Sequence, residues 1–194
     1  MKKLNLTALA FFVAIGAFAQ TKTWSIDKSH SSVNFSVEHM VISQVPGQFK
    51  DFSGTATSTG ADFSNAQVDL TIQTASIFTD DEKRDGHLQS ADFFDAAKFP
   101  QLTFKSTAFK KVDDKNYTLT GNLTMHGVTK PVTFSVKYNG TVKDPWGKTR
   151  AGFKLAAKLN RKDFGLTWNK TMDAGGVVVG DEVELTGNIE VVQQ

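Results

Sequence analysis

The feature that most constrains this chain is a strict alternation of apolar and polar residues in several segments. Residues 132–142 show it most clearly, with one face formed by Val132, Phe134, Val136, Tyr138 and Val142. Residues 183–191 alternate in the same way. Because successive side chains of a strand point to opposite faces, the pattern predicts strands with one dry and one wet face. Such strands are typical of antiparallel sheets.

The same period recurs along most of the chain after Thr23. Alternating apolar residues occur at 33–37, 68–72, 102–106, 117–125 and 153–159, and a weaker Thr-, Ser- and Gly-rich strand is predicted from Gln48 to Thr59. Turn-forming residues at 113–116 and 144–147 separate strands where hairpins need them. No long segment shows the 3.6-residue period of an amphipathic helix, so the chain is predicted to be all-β.

Two segments interrupt the β pattern. His39 to Val45 is apolar without alternation and is predicted to form a short helical or irregular lid. In Thr79 to Pro100, the acidic residues that follow Thr79 predict a short helix with Thr79 as its N-cap. A second turn is predicted to begin at Ser90 and to end before Pro100.

About eight or nine strands with a single dry face must bury that face. They can form two packed sheets or close into a barrel, and closure also removes exposed strand edges. A barrel of about eight strands is wide enough to be filled by side chains or to hold one small ligand. The alternation assigns four small residues to the dry face, namely Gly121, Ala108, Ala157 and Gly187. They either leave room for a ligand or relieve crowding, and periodicity alone slightly favours the second explanation.

The first nineteen residues have the three parts of a secretory signal peptide. A basic start at residues 1–3 precedes an apolar run at 6–18, and Ala17-Phe18-Ala19 forms a small-x-small cleavage site. The apolar run is shorter than the roughly 20 residues that span a bilayer. The sequence therefore predicts export, cleavage after Ala19, no membrane span and one mature domain at 20–194.

Charge and cysteine content exclude several classes of function. The chain has 22 Lys and Arg residues, and without Lys2 and Lys3 of the signal peptide 20 remain, equal to the 20 Asp and Glu residues. A mature chain without net charge or a basic cluster is not expected to bind nucleic acid. Since there is no cysteine, disulfides, zinc–thiolate sites and thiol nucleophiles are excluded. Core packing alone must then stabilise the exported domain.

The four histidines do not predict a metal or catalytic centre. His30, His39, His87 and His126 are far apart in sequence, and only Asp85-Gly86-His87 has a local chelating geometry. Neither a Gly-x-Ser-x-Gly motif nor a phosphate-binding glycine loop occurs. The expected role of the histidines is hydrogen bonding inside a barrel or at its rim, with a metal-dependent hydrolase as the less favoured alternative.

Two charged motifs, Arg84-Asp85 and Arg161-Lys162-Asp163, are candidates for ion pairs. A structural or solvated pair is the favoured interpretation of both. The functional alternative is that one of them caps the mouth of a barrel or meets the polar head group of a ligand.

Several short motifs follow one another in a characteristic order. They are Trp24-x-Ile26-Asp27-x-x-His30-Ser31, Gly47-x-Phe49, Arg84-Asp85-x-His87-Leu88, Asp92-Phe93-Phe94-Asp95, Phe99-Pro100-x-Leu102, Gly121-x-Leu123-Thr124-Met125-His126-Gly127, Arg161-x-Asp163-Phe164-Gly165 and Val179-Gly180-Asp181-x-Val183. Each motif is weak alone. Together they cover the chain from Trp24 to about Val191, and in this order the chain resembles the YceI-like family of exported, lipocalin-type polyisoprenoid-binding proteins.

The resemblance implies a lipocalin-like antiparallel β-barrel of about eight strands with short helical segments. It also implies an elongated apolar pore that holds a polyisoprenoid or isoprenoid-quinone lipid, and it favours a bacterial periplasm. No catalytic residue, metal or cofactor is predicted. A different amphiphile in the same pore, such as a fatty acid or fatty amide, is the main alternative, and a stress-response or interaction module with an incidental cavity is another. The sequence does not decide whether the protein forms a homodimer.

Candidate site residues follow from the dry faces and the family motifs. The apolar residues assigned to the pore are Phe35, Val37, Leu70, Ile72, Leu102, Phe104, Leu119, Leu123, Phe134, Val136, Phe153 and Leu155. The polar residues assigned to the pore or its rim are His30, His39, Arg84, Asp85, His87, His126, Arg161 and Asp163.

Overall fold

The alternating segments form the wall of one closed sheet. Within residues 21–60, 62–173 and 175–194, which the computed structural model describes, the chain forms eleven β-strands and one α-helix. The strands are β1 (Lys22–Ile26), β2 (Ser32–His39), β3 (Ser43–Phe49), β4 (Phe52–Ser58), β5 (Gln67–Gln73), β6 (Ile77–Phe78), β7 (Gln101–Lys111), β8 (Asn116–Met125), β9 (Val128–Lys143), β10 (Thr149–Asn160) and β11 (Val179–Gln193). The helix is α1 (Glu82–Gln89), and short 3-10 turns occur at Lys28–His30, Thr74–Ser76 and Arg161–Phe164. The predicted signal peptide at 1–19 lies outside the described residues.

Short breaks divide three long strands, so the described strands follow eight paths around a barrel. β1 and β2 share one path, β3 and β4 the next, and β5 and β6 a third, because β2 pairs with β3 while β1 pairs with β4. The order continues through β7, β8, β9, β10 and β11, and β11 returns to pair with β2 and β1. All these pairs are antiparallel. The chain is therefore a closed eight-stranded antiparallel barrel, which confirms the predicted lipocalin-like fold class.

Two β-bulges shift the alternation where the sequence alone suggests that it continues. In β9, Tyr138 lies opposite Phe153 but Gly140 lies opposite Gly152, so Asn139 is an extra residue. Beyond the bulge the inward parity is reversed, and Val142 is 64% exposed on the outer face. Its assignment to the dry face was wrong for this reason.

A second bulge affects β7. Ser106 lies opposite Gly121 and Ala108 opposite Thr120, which leaves Thr107 as an extra residue. Ala108 therefore lies on the outer face, and the inward position is taken by Phe109. The assignment of Ala108 to the dry face was also wrong.

Two further segments differ from the sequence-based prediction. Residues 39–45 form the end of β2, a tight turn at 40–42 and the start of β3, so the predicted lid is a hairpin. The single strand predicted from Gln48 to Thr59 is broken at Lys50 and Asp51, where the path of the wall bends between β3 and β4.

The predicted helix after Thr79 is present as α1, but its N-cap is Asp81. The Asp81 carboxylate accepts a hydrogen bond from the backbone N–H of Arg84 at 3.1 Å. Thr79 donates its N–H and hydroxyl to the Asp85 carboxylate at 2.8 and 2.6 Å instead. In the part of the chain that the structure describes, no helix is long and apolar enough to cross a membrane.

The segments that connect the strands lie at two opposite ends of the barrel. One end, called the cap end, carries the turns at 40–42 and 126–127, α1 with the segment up to Pro100, and the described residues between 161 and 178. The other, called the plug end, carries the loops around Phe63, Asp114 and Pro145.

Phe63 fills the plug end from inside. Its ring is buried, and its centroid lies 5.2 Å from that of Trp24, 4.8 Å from that of Phe153 and 5.8 Å from that of Tyr138. Aromatic contacts of this kind stabilise a core beyond the burial of area.

Candidate functional site

An apolar cavity of about 240 Å³ lies inside the barrel. Side chains from both broken and unbroken strands line it, together with Leu88, Phe93 and Phe94 from the cap segment and Leu166. Among the described residues that line the cavity, Arg161 is the only one with a charged side chain. The cavity is therefore a mostly hydrocarbon-lined space with one charged group at its cap end.

All twelve apolar residues predicted for the pore line this cavity. The register explains why, since Leu70, Phe104 and Leu123 lie opposite one another on three adjacent strands. Phe104 and Phe134 meet edge to face with their ring centroids 5.5 Å apart. Phe134 points inward but is only half-buried, so part of its surface faces the cavity. Whether these side chains contact a ligand stays a prediction.

Two glycines of the inner face have different roles. A Cβ added at Gly187 would meet its nearest neighbours at 3.6–3.7 Å, which is ordinary contact, so its missing side chain leaves volume inside the barrel. A Cβ at Gly121 would lie 2.4 Å from the Phe104 ring, so this glycine makes room for an aromatic side chain. Both explanations of the small residues apply, each at its own position. Ala157 faces inward opposite Leu185.

The cap over the cavity is built from aromatic contacts between the α1 segment and its neighbours. Phe94 meets Phe49 of β3 edge to face at 5.9 Å. The His87 ring lies edge to face against Phe93 at 5.0 Å and against Trp168 at 4.9 Å. α1 is thereby joined to the segment after β10. Sequence reasoning missed Phe93, Phe94 and Leu166 as lining residues because their segments show no strand period, and the same holds for Phe63 at the plug end.

Arg161 is buried, with 3% of its surface exposed. Its Nε donates to the carbonyl oxygen of Gly180 at 2.8 Å, and its Nη1 donates to the carbonyl oxygens of Leu166 and Trp168. Burial lowers the pKa of Arg161, and Asp181, whose Oδ1 lies 3.6 Å from Nη2, opposes this effect. The guanidinium thus fastens the segment after β10 to the start of β11 and brings a positive charge to the cap end of the cavity.

The basic residues of both charged motifs pair with acids outside their own motif. Arg84 Nη1 lies 3.9 Å from the carboxylate of Asp81, and Lys162 Nζ lies 2.8 Å from that of Asp181. Arg84 donates from Nε to the Thr79 hydroxyl at 2.7 Å, whereas Asp85 accepts from Thr79, so both serve the start of α1. Asp163 is exposed and does not line the cavity, unlike Arg161.

The histidines are spread over the barrel and do not converge. His87 hydrogen-bonds with Asp92 at 2.9 Å, while Asp85 faces Thr79, so these two neighbours do not chelate together. His126 hydrogen-bonds with the carbonyl oxygen of Phe164 at 3.3 Å at the cap end. His39 ends β2 at the same end.

His30 lies on the outer wall, in a charged cluster that sequence reasoning did not assemble. Arg150 donates from Nη1 to Asp27 and to Glu190, each at 2.6 Å, and from Nε to Asp144 at 2.7 Å. Hydrogen bonds from Ser29, from His30 and from Arg150, in that order of effect, hold the pKa of Asp27 well below its ordinary value.

A metal ion could be held on this wall, because ligand atoms of Asp27, His30 and Glu190 lie within 4.8 Å of one another. Arg150 already supplies a cation to both carboxylates. The cluster therefore ties the turn between β1 and β2 to β10 and β11.

A closed eight-stranded antiparallel barrel around an apolar cavity defines a lipocalin-like fold. The chain belongs to the YceI-like family, since the model of the YceI-like domain matches residues 24–191. It is similar to Protein YceI of Salmonella newport, with 44% identity over 198 residues that cover all of both chains.

Solved structures agree with the fold. The Campylobacter jejuni YCEI protein is 30% identical with a TM-score of 0.71, over 100% of this chain and 99% of that one. A domain of Saccharophagus degradans, described as a polyisoprenoid binding domain implicated in plant cell wall breakdown, is 14% identical with a TM-score of 0.63, over 87% of this chain and 97% of that one. The latter likeness is one of fold alone.

Proposed function

We propose that this protein binds a polyisoprenoid or isoprenoid-quinone lipid in its barrel and carries or stores it without catalysis. The observation that carries the proposal is the cavity, whose described lining is apolar apart from a few polar groups and the single charge of Arg161. Binding sites for small molecules are commonly concave and apolar with few convergent polar groups.

The size and lining of the cavity give a physical reason for an apolar ligand. Water enters a cavity stably only where it finds two or more polar partners, which this lining does not offer along most of its length. At about 24 cal/mol per Å³, a void of about 240 Å³ corresponds to about 6 kcal/mol of lost packing. A hydrocarbon chain regains this packing, and each Å² that it removes from water contributes roughly 25 cal/mol.

A prenyl chain suits the wall chemically. The lining is rich in aromatic and branched side chains, such as Phe104, Phe134 and Val136, which pack against methyl-branched hydrocarbon. The Saccharophagus domain described as polyisoprenoid-binding has the same fold, which supports a barrel of this shape as a holder of such chains. A straight-chain fatty acid or amide is the competing occupant.

Arg161 supports a binding role over a catalytic one. Three of its N–H groups are engaged by the carbonyl oxygens of Gly180, Leu166 and Trp168, so the guanidinium is held as a fixed structural and electrostatic group. At the cap end, His87 and His126 are engaged in hydrogen bonds with Asp92 and Phe164. Catalysis by a histidine would require convergence on one open site.

The compartment is part of the proposal. The basic start, the apolar run at 6–18 and the Ala17-Phe18-Ala19 site support export to a bacterial periplasm or to the medium, with cleavage after Ala19. An exported carrier meets its lipid where membranes and water adjoin.

The test is native mass spectrometry of protein purified from its own envelope, followed by organic extraction. The expected result is one prenyl lipid or isoprenoid quinone per chain, and delipidated protein that takes up an added octaprenyl lipid in preference to a C22 fatty amide. Preference for the amide would show that the ligand is a straight-chain amphiphile and not a prenyl lipid. Failure of every amphiphile to bind would overturn the carrier function.

A further inference from the structure

The turn between β2 and β3 exposes apolar side chains at the cap end. Ile42 is 85% exposed and Val41 61% exposed, and Met40 and Val177 beside them are also exposed. Met40 donates its N–H to the carbonyl oxygen of Val178 at 2.9 Å, which holds the turn against the loop before β11. These four residues, Met40, Val41, Ile42 and Val177, are called the apolar tip.

The backbone at two residues of the apolar tip is unfavourable for their side chains. Met40 and Val41 have φ values of 53° and 63°, in the left-handed region that tight hairpins normally fill with Asn and Gly. A β-branched residue in this region is a genuine outlier. An Asn or Gly turn would adopt this backbone more easily, so Met40 and Val41 occupy it at a conformational cost. Strain of this kind is found where side chains have a function.

The apolar tip lies close to the cap end of the cavity lining. Val37 and Val179 line the cavity, and Val179 lies opposite His39, the residue directly before the tip. The opposite end of the barrel is filled by Phe63. A water-insoluble chain that leaves or enters the cavity at the cap end therefore passes near the apolar tip.

The charges beside the apolar tip do not favour an anionic partner. Glu38 precedes it on β2, and Lys170 and Asp173 lie in the adjoining loop. With both signs present and no basic cluster, attraction to anionic lipid or to nucleic acid is not expected. The chemistry that fits is apolar insertion into a zwitterionic bilayer.

We propose that the apolar tip inserts into a lipid bilayer and holds the cap end of the barrel against it during lipid transfer. The inference rests on the proposed function, because a carrier of prenyl lipid must collect its cargo from a membrane. Only a few side chains insert, so binding is weak and reversible, as a carrier requires.

The test is flotation of the mature protein with vesicles of palmitoyl-oleoyl-phosphatidylcholine. The double variant Val41→Asn/Ile42→Ser is compared with Trp146→Ser, a matched control in which an 82% exposed aromatic side chain is removed at the plug end. Loss of an inserted Ile corresponds to roughly tenfold weaker partition. We expect vesicle binding of the double variant to fall by at least this factor and that of the control to change less than twofold. Binding of the wild type should depend little on salt concentration.

A second measurement separates this inference from the proposed function. Each protein is loaded with octaprenyl lipid from ethanol without vesicles, and the double variant is expected to load as the wild type does while taking up lipid more slowly from vesicles. Loading failure in the wild type refutes the proposed function, whereas unchanged flotation of the double variant refutes only the docking role. Loss of binding in the Trp146 variant would place docking at the plug end. If the wild type does not float but forms a dimer, and the double variant is monomeric, the apolar tip is a self-association surface and the docking role is refuted.

Discussion

Replacing Gly187 by leucine should stabilise the protein and block its cavity at the same time. Gly187 lies opposite Leu155 on one side and Val33 on the other, on the inner face of β11. An added Cβ would meet Ser32, Leu155 and Ile189 at 3.6–3.7 Å, which is ordinary contact. Because Gly187 lines the cavity, we expect the rest of a leucine side chain to occupy cavity volume.

The size of the effect follows from two contributions. Glycine in a strand costs about 0.5–1 kcal/mol relative to alanine, and burying a leucine side chain contributes about 1.5–3 kcal/mol. The free energy of unfolding of Gly187→Leu should therefore rise by about 2–4 kcal/mol in delipidated protein. For a domain of this size the midpoint should rise by about 4–16 °C, while octaprenyl-lipid occupancy should fall at least about tenfold because the side chain takes up cavity volume.

The assay pairs thermal unfolding, followed by circular dichroism, with extraction and mass spectrometry of bound lipid. Gly152→Leu is the matched control, because Gly152 lies between the inward residues Ala151 and Phe153 and so faces outward. Its added Cβ would meet Asn139 at 3.6 Å, and its lipid occupancy should be unchanged. A Gly187→Leu protein that is destabilised and still binds lipid fully would refute the assignment of this position to the cavity.

Three further changes probe the wall, the outer cluster and the cap. Phe134→Glu places a carboxylate in the cavity wall and should abolish prenyl-lipid binding with the β-sheet spectrum retained; unchanged binding in the folded variant would put this ring outside the site. The hydrogen bond from Arg150 lowers the pKa of Asp144 in the folded protein. The ionised Asp144 therefore stabilises the fold above its unfolded pKa of about 4, and this stabilisation is lost as the pH falls through the lower pKa of the folded state. Arg150→Met should therefore flatten the fall in stability below about pH 4 in urea titrations, and an unchanged acid profile would contradict this origin. Asp85→Ala leaves two buried donors of Thr79 without their acceptor and should cost about 1–3 kcal/mol, seen as faster amide exchange in α1; unaltered exchange would argue against the anchoring role.

The wall of the cavity was predictable because the barrel preserves the period of the sequence. Wherever a strand runs without interruption, as at Leu119 and Leu123 or at Phe153 and Leu155, parity alone selects the inward side chains. The prediction failed at Val142, which lies beyond the bulge at Asn139. The extra residue exchanges the inward and outward positions after it, and a polar Asn in an alternating series does not reveal that a bulge is present.

The ends of the cavity could not be predicted in the same way. Phe63 and Phe94 lie in segments without a repeat, and their positions depend on contacts with strands distant in sequence. The burial of Arg161 is likewise a tertiary effect. Its guanidinium is enclosed where it donates to backbone carbonyl oxygens, including that of Gly180, which is 19 positions away in sequence. The cluster of Arg150 with Asp27 arises because β1 and β10 both pair with β11, which local sequence does not reveal.

The two ends should open at different free energies, which determines where lipid exchanges. Opening the plug end breaks three aromatic contacts of Phe63, each worth about 0.5–1.5 kcal/mol beyond area burial. The cap end has aromatic contacts too, of Phe94 with Phe49 and of His87 with Trp168, but they hold α1, an eight-residue helix that is too short to be stable without its packing. Phe63 instead packs against residues of the closed wall itself. Amide exchange should therefore be faster in α1 than in the strands beside Phe63, and bound lipid should slow it selectively by filling the space beneath Leu88. Slower exchange confined to the plug end on lipid binding would reverse the assigned direction of entry and would also remove the need for an apolar tip at the cap end.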